Sequence, residues 1–244
     1  MTGRQPLPWL APGDPPDGFP DPRRALRSPN GLLAAGGDLS AARLLAAYRR
    51  GIFPWFSDGQ PILWWCPDPR AVLVPAEFHV SRSLRRTLRS GRFAVSVDQS
   101  FSAVIEACAT AREESGTWLT REMIAAYGEL HARGIAHSVE SWRDGQLAGG
   151  VYGISLGGIF FGESMVSIVT DGSKVALAKL ARLARLRGIE VIDCQVPNDH
   201  LTRLGSRLLP RVDFLAWLER CVRQPPEQRL HVEPMHPARD VLDD

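Results

Sequence analysis

The segment "VIDCQVPNDH" at residues 191–200 places a carboxylate, Asp193, and an amide, Gln195, two positions apart where an apolar run closes. On a β-strand residues i and i+2 share a face, so this spacing sets the two groups side by side with Cys194 on the other face. A strand-end polar pair that binds nearby backbone satisfies the same spacing, as does a pair that orients a reacting group. A second carboxylate, Glu163, lies in "FFGESM" near the end of another apolar strand. Burial raises the pKa of a lone carboxyl, so Glu163 needs either a structural ion-pair partner or a chemical role. Two such strand ends, if adjacent, would line one cleft.

Two further groups of residues suit binding. In "SRSLRRTLR", Arg82, Arg85, Arg86 and Arg89 fall at i, i+3, i+4 and i+7, so all four project from one helical face with no acidic residue among them. A solvated face accounts for many charge runs, but a one-sign stripe without partners favours a polyanion. Trp55, between Pro54 and Phe56, and Trp118, after "EESGT", sit in loop-like sequence suited to stacking on a base. Trp64 and Trp65 complete a cluster of the kind that more often builds core. Other patterns fail. "DGSKVALAKL" lacks the leading glycine of a phosphate-binding P-loop, and no GxGxxG or HExxH occurs. The four cysteines show no CxxC spacing, which argues against a zinc site or a disulfide framework.

The elements that must position these groups follow from pattern. The 244-residue chain carries a net charge of +2, too little to signal nucleic-acid binding except locally. Its first 30 or so residues, rich in Pro and Gly, read as an extended arm with turns. No signal-peptide layout or membrane-length apolar run appears, so the expectation is a soluble cytoplasmic protein. Ser40 caps a short helix that Gly51 stops, and Ser81 caps the arginine helix. "RFAVSV" is a strand, followed by two helices, then strands paired about an Asp144-Gly145 hairpin turn, then the strand of Glu163. The longest helix starts at an Asp171 cap and ends at Gly188. The strand of Asp193 follows, then two shorter helices. This order predicts an α/β (α+β) mixed sheet with helices on its faces. The domain boundaries are residues 1–69 (arm and small domain), 70–223 (catalytic domain) and 224–244 (a loose polar tail).

Together "PNGLLAAGGDLSAARLLAAYRRGIFPWF", "ILWWCPDPRAVL", "GTWLTREMIAAY", "GESM", "SKVAL" and "IDCQVPNDH" resemble the bacterial leucyl/phenylalanyl-tRNA protein transferases, in the family's order. The resemblance implies a small N-terminal domain before a larger GNAT-like acyltransferase domain. It implies an enzyme that moves Leu or Phe, and weakly Met, from charged tRNA to the N-terminal amine of proteins beginning with Arg or Lys. The product would be an N-end rule degradation signal read by the ClpS adaptor and the ClpAP protease. By motif, Glu163 resembles the residue that orients the aminoacyl-adenosine, and Asp193 and Gln195 the pair of the catalytic step. Trp55 and Trp118 resemble the aromatics that hold the terminal adenosine and substrate, and Met165 the pocket wall. Tyr48 and Tyr127 are further substrate-binding candidates. Val166 stands where the family motif has Phe.

An aminoacyl ester is already activated, so this reading expects no ATP, metal or cofactor, and a monomer. Aminolysis then needs mainly alignment, which can supply roughly 7–11 kcal/mol. An amide has no useful pKa, so Gln195 would accept a hydrogen bond from the attacking amine, with Asp193 holding its NH₂. The Arg stripe would follow acceptor-stem phosphates. The rivals are an acetyl-CoA-dependent GNAT acyltransferase, which expects a Gly-rich pyrophosphate loop that "DGSKVAL" does not supply, and a non-catalytic RNA-binding module, which leaves Asp193, Gln195 and Glu163 idle.

Overall fold

A computed structural model of the chain describes residues 7–111, 119–224 and 230–242. Two sheets organise them. The smaller has four strands in the order β1-β2-β4-β3: β1 is Trp9–Leu10, β2 Leu32–Gly36, β3 Phe53–Pro54 and β4 Leu63–Trp65. Helix α1, Ala41–Tyr48, is capped as expected by the Ser40 side chain, which accepts from the Arg43 amide. The N-terminal arm is held by that helix. Arg43 is 1% exposed and donates to the carbonyls of Ala11, Asp14 and Pro15, and Arg50 donates to those of Asp17, Phe19 and Pro20. Two guanidiniums thus satisfy arm carbonyls that have no ladder to join. Trp64 is fully buried and gives its indole N–H to the Gly36 carbonyl.

The larger sheet has eight strands. They are β5 (Arg70–Leu73), β6 (Ala94–Val97), β7 (Ala136–Arg143), β8 (Gln146–Leu156), β9 (Ile159–Ser167), β10 (Val191–Gln195), β11 (Arg207–Leu209) and β12 (Glu233–Pro237), in spatial order β11-β5-β10-β9-β8-β7-β6-β12. The chain changes sheets between Trp65 and Arg70. The sheet is mixed, since β10 runs parallel to β9 and antiparallel to β5. The β7–β8 hairpin turns at Asp144 and Gly145, both with positive φ, as a right-twisting two-residue turn requires.

Helices cover both faces. On one side lie α3 (Phe101–Thr110) and α4 (Arg121–Ala132), sharing a core with α1 and with α7 (Arg211–Val222). On the other lie α2 (Arg82–Arg89) and α5 (Gly172–Leu186). α2 buries Leu84, Thr87 and Leu88 and is capped by Ser81, as its pattern predicts. α5 is alanine-rich and lies tight on the sheet. A Cβ at Gly149 would stand 2.6 Å from the Gly172 carbonyl carbon, so glycine is needed where the helix start meets β8. Asp171 precedes this helix but does not cap it. It sits at φ 69°, and its carboxylate takes Thr87 and Lys174 instead, while Ser167 Oγ accepts the Ser173 amide. A short helix, α6 (Asp199–Thr202), is capped by Asn198.

The expected loose tail is corrected for its described part. Residues 233–237 form β12 on the edge of the large sheet, and Leu230, Ala238 and Val241 are buried. Lys179, 2% exposed on α5, donates to Glu233 at 2.6 Å and lies 2.9 Å from His236 Nε2. The tail's polar composition hid a few apolar anchors and an acidic partner for a buried lysine.

Candidate active site

A cleft opens over the middle of β9 and the end of β10, beside β3; Glu163, expected near a strand end, sits at the centre of β9. Apolar side chains from several elements line it, among them Phe53, Val151, Met165, Leu177 and Leu201, and Glu163, Asp193 and Gln195 meet at its floor. These three polar groups are 8%, 0% and 9% exposed, so each must find partners within the protein.

Glu163 and Gln195 are in direct contact. Gln195 Nε2 donates to Glu163 Oε1 at 2.9 Å, and Tyr127 Oη donates to Glu163 Oε2 at 2.7 Å. Tyr48 Oη lies 2.6 Å from Tyr127 Oη, and because Tyr127 donates to the carboxylate, Tyr48 donates to Tyr127. The chain Tyr48–Tyr127–Glu163–Gln195 runs from the small domain to the cleft. Its last free atom is the Gln195 carbonyl oxygen, which has no protein partner among the described residues. Burial raises Glu163 to about 7, against the lowering effect of the two phenols, while Asp193 pushes it up and Arg70 pulls it down. Burial and the adjacent Glu163 carboxylate raise both phenols, so Tyr48 and Tyr127 stay protonated donors.

Asp193 does something other than expected. The sequence spacing suggested that it holds the Gln195 side-chain amide; that amide is held by Glu163 instead. Asp193 forms a two-point ion pair with Arg70, with Nε to Oδ1 at 2.8 Å and Nη2 to Oδ2 at 2.6 Å, both side chains fully buried. Its Oδ1 also accepts the backbone N–H of Gln195 at 2.9 Å. The simple i, i+2 rule fails because β10 is irregular here. The register against β5 shifts between Asp193 and Gln195, and Gln195 adopts φ 64° in the left-handed region. Cys194 therefore also lines the cleft.

The other candidates divide. Trp55 is 45% exposed on the cleft wall and packs against Trp65, whose indole N–H binds the Trp55 carbonyl at 2.6 Å. Met165 lines the cleft as expected. Tyr48 and Tyr127 are fully buried behind Glu163 and are absent from the cleft lining, so they support the floor of the cleft. Trp118 lies outside the described residues. Arg82, Arg85, Arg86 and Arg89 are all exposed on α2, away from the cleft lining. Sequence reasoning missed Arg70. Its signal was a single cation opening the apolar run "RAVLV", matched by a single anion inside the apolar run "VIDCQ".

An apolar recess with a carboxyl and an amide hydrogen-bonded at its floor and two phenols behind them, set where the large sheet meets a second domain, is built as an α/β enzyme site. Residues 72–219 match the model of the leucyl/phenylalanyl-tRNA protein transferase family, and residues 37–68 match the model of that family's N-terminal domain. A leucyl/phenylalanyl-tRNA protein transferase of Chromohalobacter salexigens is 55% identical over 96% of this chain and 90% of its own length. One from Azoarcus is 58% identical over 90% and 93%, and one from Pseudomonas aeruginosa 55% identical over 90% and 97%. Among solved structures, L-PGS from Bacillus licheniformis aligns with 68% of this chain and 53% of its own, at 10% identity and a TM-score of 0.40. A ribosomal-protein-alanine N-acetyltransferase from Brucella melitensis aligns with 44% and 82%, at 16% identity and a TM-score of 0.34. Likeness that slight has no bearing on function. The chain belongs to the leucyl/phenylalanyl-tRNA protein transferase family, as its motifs led one to expect.

Proposed function

We propose that the cleft binds the aminoacyl-adenosine end of a charged tRNA and joins its Leu or Phe, and weakly Met, to the N-terminal α-amine of proteins beginning with Arg or Lys. The observation that carries this reading is the Gln195 carbonyl oxygen, unpartnered at the floor of an apolar cleft in a chain of this family. The apolar wall, including Met165 and Leu177, receives the aminoacyl side chain. One methylene in such a pocket is worth only ~1–3 kcal/mol, so Met is rejected incompletely. Trp55 stacks on the terminal base, and the α2 arginines follow acceptor-stem phosphates.

The chemistry is aminolysis of an ester. The acceptor α-amine has a reference pKa of about 7.7–8.0, so part of it is neutral near pH 7, whereas a lysine side chain near 10.4 is almost all charged. The attacking N–H donates to the Gln195 carbonyl oxygen, which aligns the nitrogen lone pair on the ester carbon. Glu163 fixes which end of the Gln195 amide faces the amine, since a carboxylate accepts only from the NH₂ end. The new peptide bond forms as the ester C–O bond breaks, and the proton that the attacking amine gives up ends on the leaving ribose oxygen. The product is an N-end rule signal passed to ClpS and ClpAP, and the enzyme works as a cytoplasmic monomer.

The test supplies the protein with a peptide beginning with Arg and either radiolabelled Leu-tRNA or radiolabelled acetyl-CoA. Label from Leu-tRNA appearing on the peptide N-terminus is the expected result. Label from acetyl-CoA alone, or none from either, overturns the reading.

A further inference from the structure

The least economical group at the site is Arg70. Its guanidinium is fully buried, its Nη1 has no hydrogen-bond partner among the described residues, and it never reaches the cleft lining. Burying a cation this deep is costly unless close ion pairing and hydrogen bonds offset its lost hydration. The surroundings hold that geometry rigidly. The guanidinium lies over the Phe53 ring at 4.8 Å and the Phe214 ring at 4.6 Å, so two aromatic faces compensate part of its lost hydration and confine its plane. Within that plane its fork meets both oxygens of Asp193.

The carboxylate so fixed has one further acceptance to make, and it makes it to the backbone N–H of Gln195. Gln195 needs that restraint. At φ 64° it occupies a left-handed backbone region that side-chain-bearing residues enter only at a cost. Ordinary extended geometry would continue the ladder and turn its side chain away from the position seen. The strained turn is what allows Gln195 Nε2 to reach Glu163 while the carbonyl oxygen stays free.

We infer that Arg70 is a positioning residue: through Asp193 it locks the Gln195 backbone in the left-handed turn that delivers the Gln195 amide to the cleft. Arg70 spans the domains in the same role, because Phe53 belongs to β3 and also lines the cleft. Asp193 acts here as the middle of a clamp, with both oxygens occupied.

The inference rests on the proposed transfer for its kinetic consequence but not for its structural one. In the double variant Arg70→Leu/Asp193→Leu the buried charges go together, a replacement that proteins commonly tolerate. Exchange of the Gln195 backbone amide, followed by NMR in the absence of substrate, is expected to accelerate at least tenfold. The kcat for transfer from Leu-tRNA is expected to fall at least thirtyfold, with the donor KM within about threefold. Arg70→Lys keeps the charge without the fork and serves if the double variant does not fold; it shows the same split, smaller. A folded variant with wild-type Gln195 exchange, or with wild-type kcat, overturns the clamp. Absence of transfer by the unaltered protein counts against the proposed function alone, because the amide exchange decides the clamp without substrate.

Discussion

Glu163 accepts from Gln195 on one oxygen and from Tyr127 on the other, yet burial still raises it to about 7. Replacing Gln195 with Glu would set a second carboxyl against it at hydrogen-bonding distance, where both cannot ionise together. Gln195→Glu is expected to lower transfer about a hundredfold or more while donor binding changes less than threefold, as read by steady-state kinetics and by equilibrium binding of an aminoacyl-adenosine. The same carboxyl makes stability depend on pH in an unusual direction. Unfolded, Glu163 releases its proton near 4.5; folded, near 7. Between those values the native state holds the extra proton, so this group's contribution to stability falls as pH rises and is lowest above 7. The span corresponds to a penalty of up to about 3 kcal/mol. Glu163→Gln should therefore narrow the stability difference between pH 5 and pH 8 in denaturant titrations. An unchanged difference would show that Glu163 titrates normally.

At the scale of the element, α2 separates its two faces cleanly. Leu84 and Leu88 are buried against the sheet, while Arg82, Arg85, Arg86 and Arg89 are exposed. Among the described residues none of the four has an ion-pair partner, although the chain offers acidic groups elsewhere. Arg85→Glu with Arg86→Glu should leave the fold intact, because neither side chain contributes to the core. Binding of charged tRNA is expected to weaken at least tenfold, and the slope of log affinity against log salt to flatten by one to two units. Transfer from a minimal aminoacyl-adenosine should stay within twofold. Equal loss on both donors would place the stripe elsewhere than on the tRNA path.

The described residues are held at both ends by cations, Arg43 and Lys179 buried and Arg50 half-buried, that the sequence places far from their partners. Arg43 and Arg50 hold the N-terminal arm, and Lys179 holds the C-terminal strand through Glu233. Removing one partner of such a pair leaves the other buried and uncompensated, typically at about 3–5 kcal/mol. Glu233 is partly exposed, so Glu233→Ala is expected below that range, at about 2–3 kcal/mol, read as a shift in denaturant midpoint with transfer at saturating donor preserved. No shift would return the tail to the loose state its composition suggests. Between these ends, the Tyr48–Tyr127 contact joins α1 of the small domain to α4 of the large one directly behind the cleft.

Local pattern sufficed for much of this. Ser40 and Ser81 cap their helices, Asp144 and Gly145 turn the long hairpin, and the arginine stripe faces solvent, because caps, turns and amphipathic faces depend on residues a few positions apart. The motifs "GESM" and "IDCQ" also singled out Glu163 and Gln195, which the structure places together in the cleft, since polar groups within apolar strands require partners. What sequence could not reveal was the pairing. Asp193 lies two positions from Gln195 but is satisfied by Arg70, 123 positions away, and Glu163 takes the amide that Asp193 was expected to hold. That exchange follows from a bulge and a left-handed residue in β10, which appear only when the strand is laid against β5 and must meet β9 on its other side. Alternation of side chains is a property of one strand. Which acceptor each donor finds is decided by the sheet, where burial leaves no water to fill a missing bond.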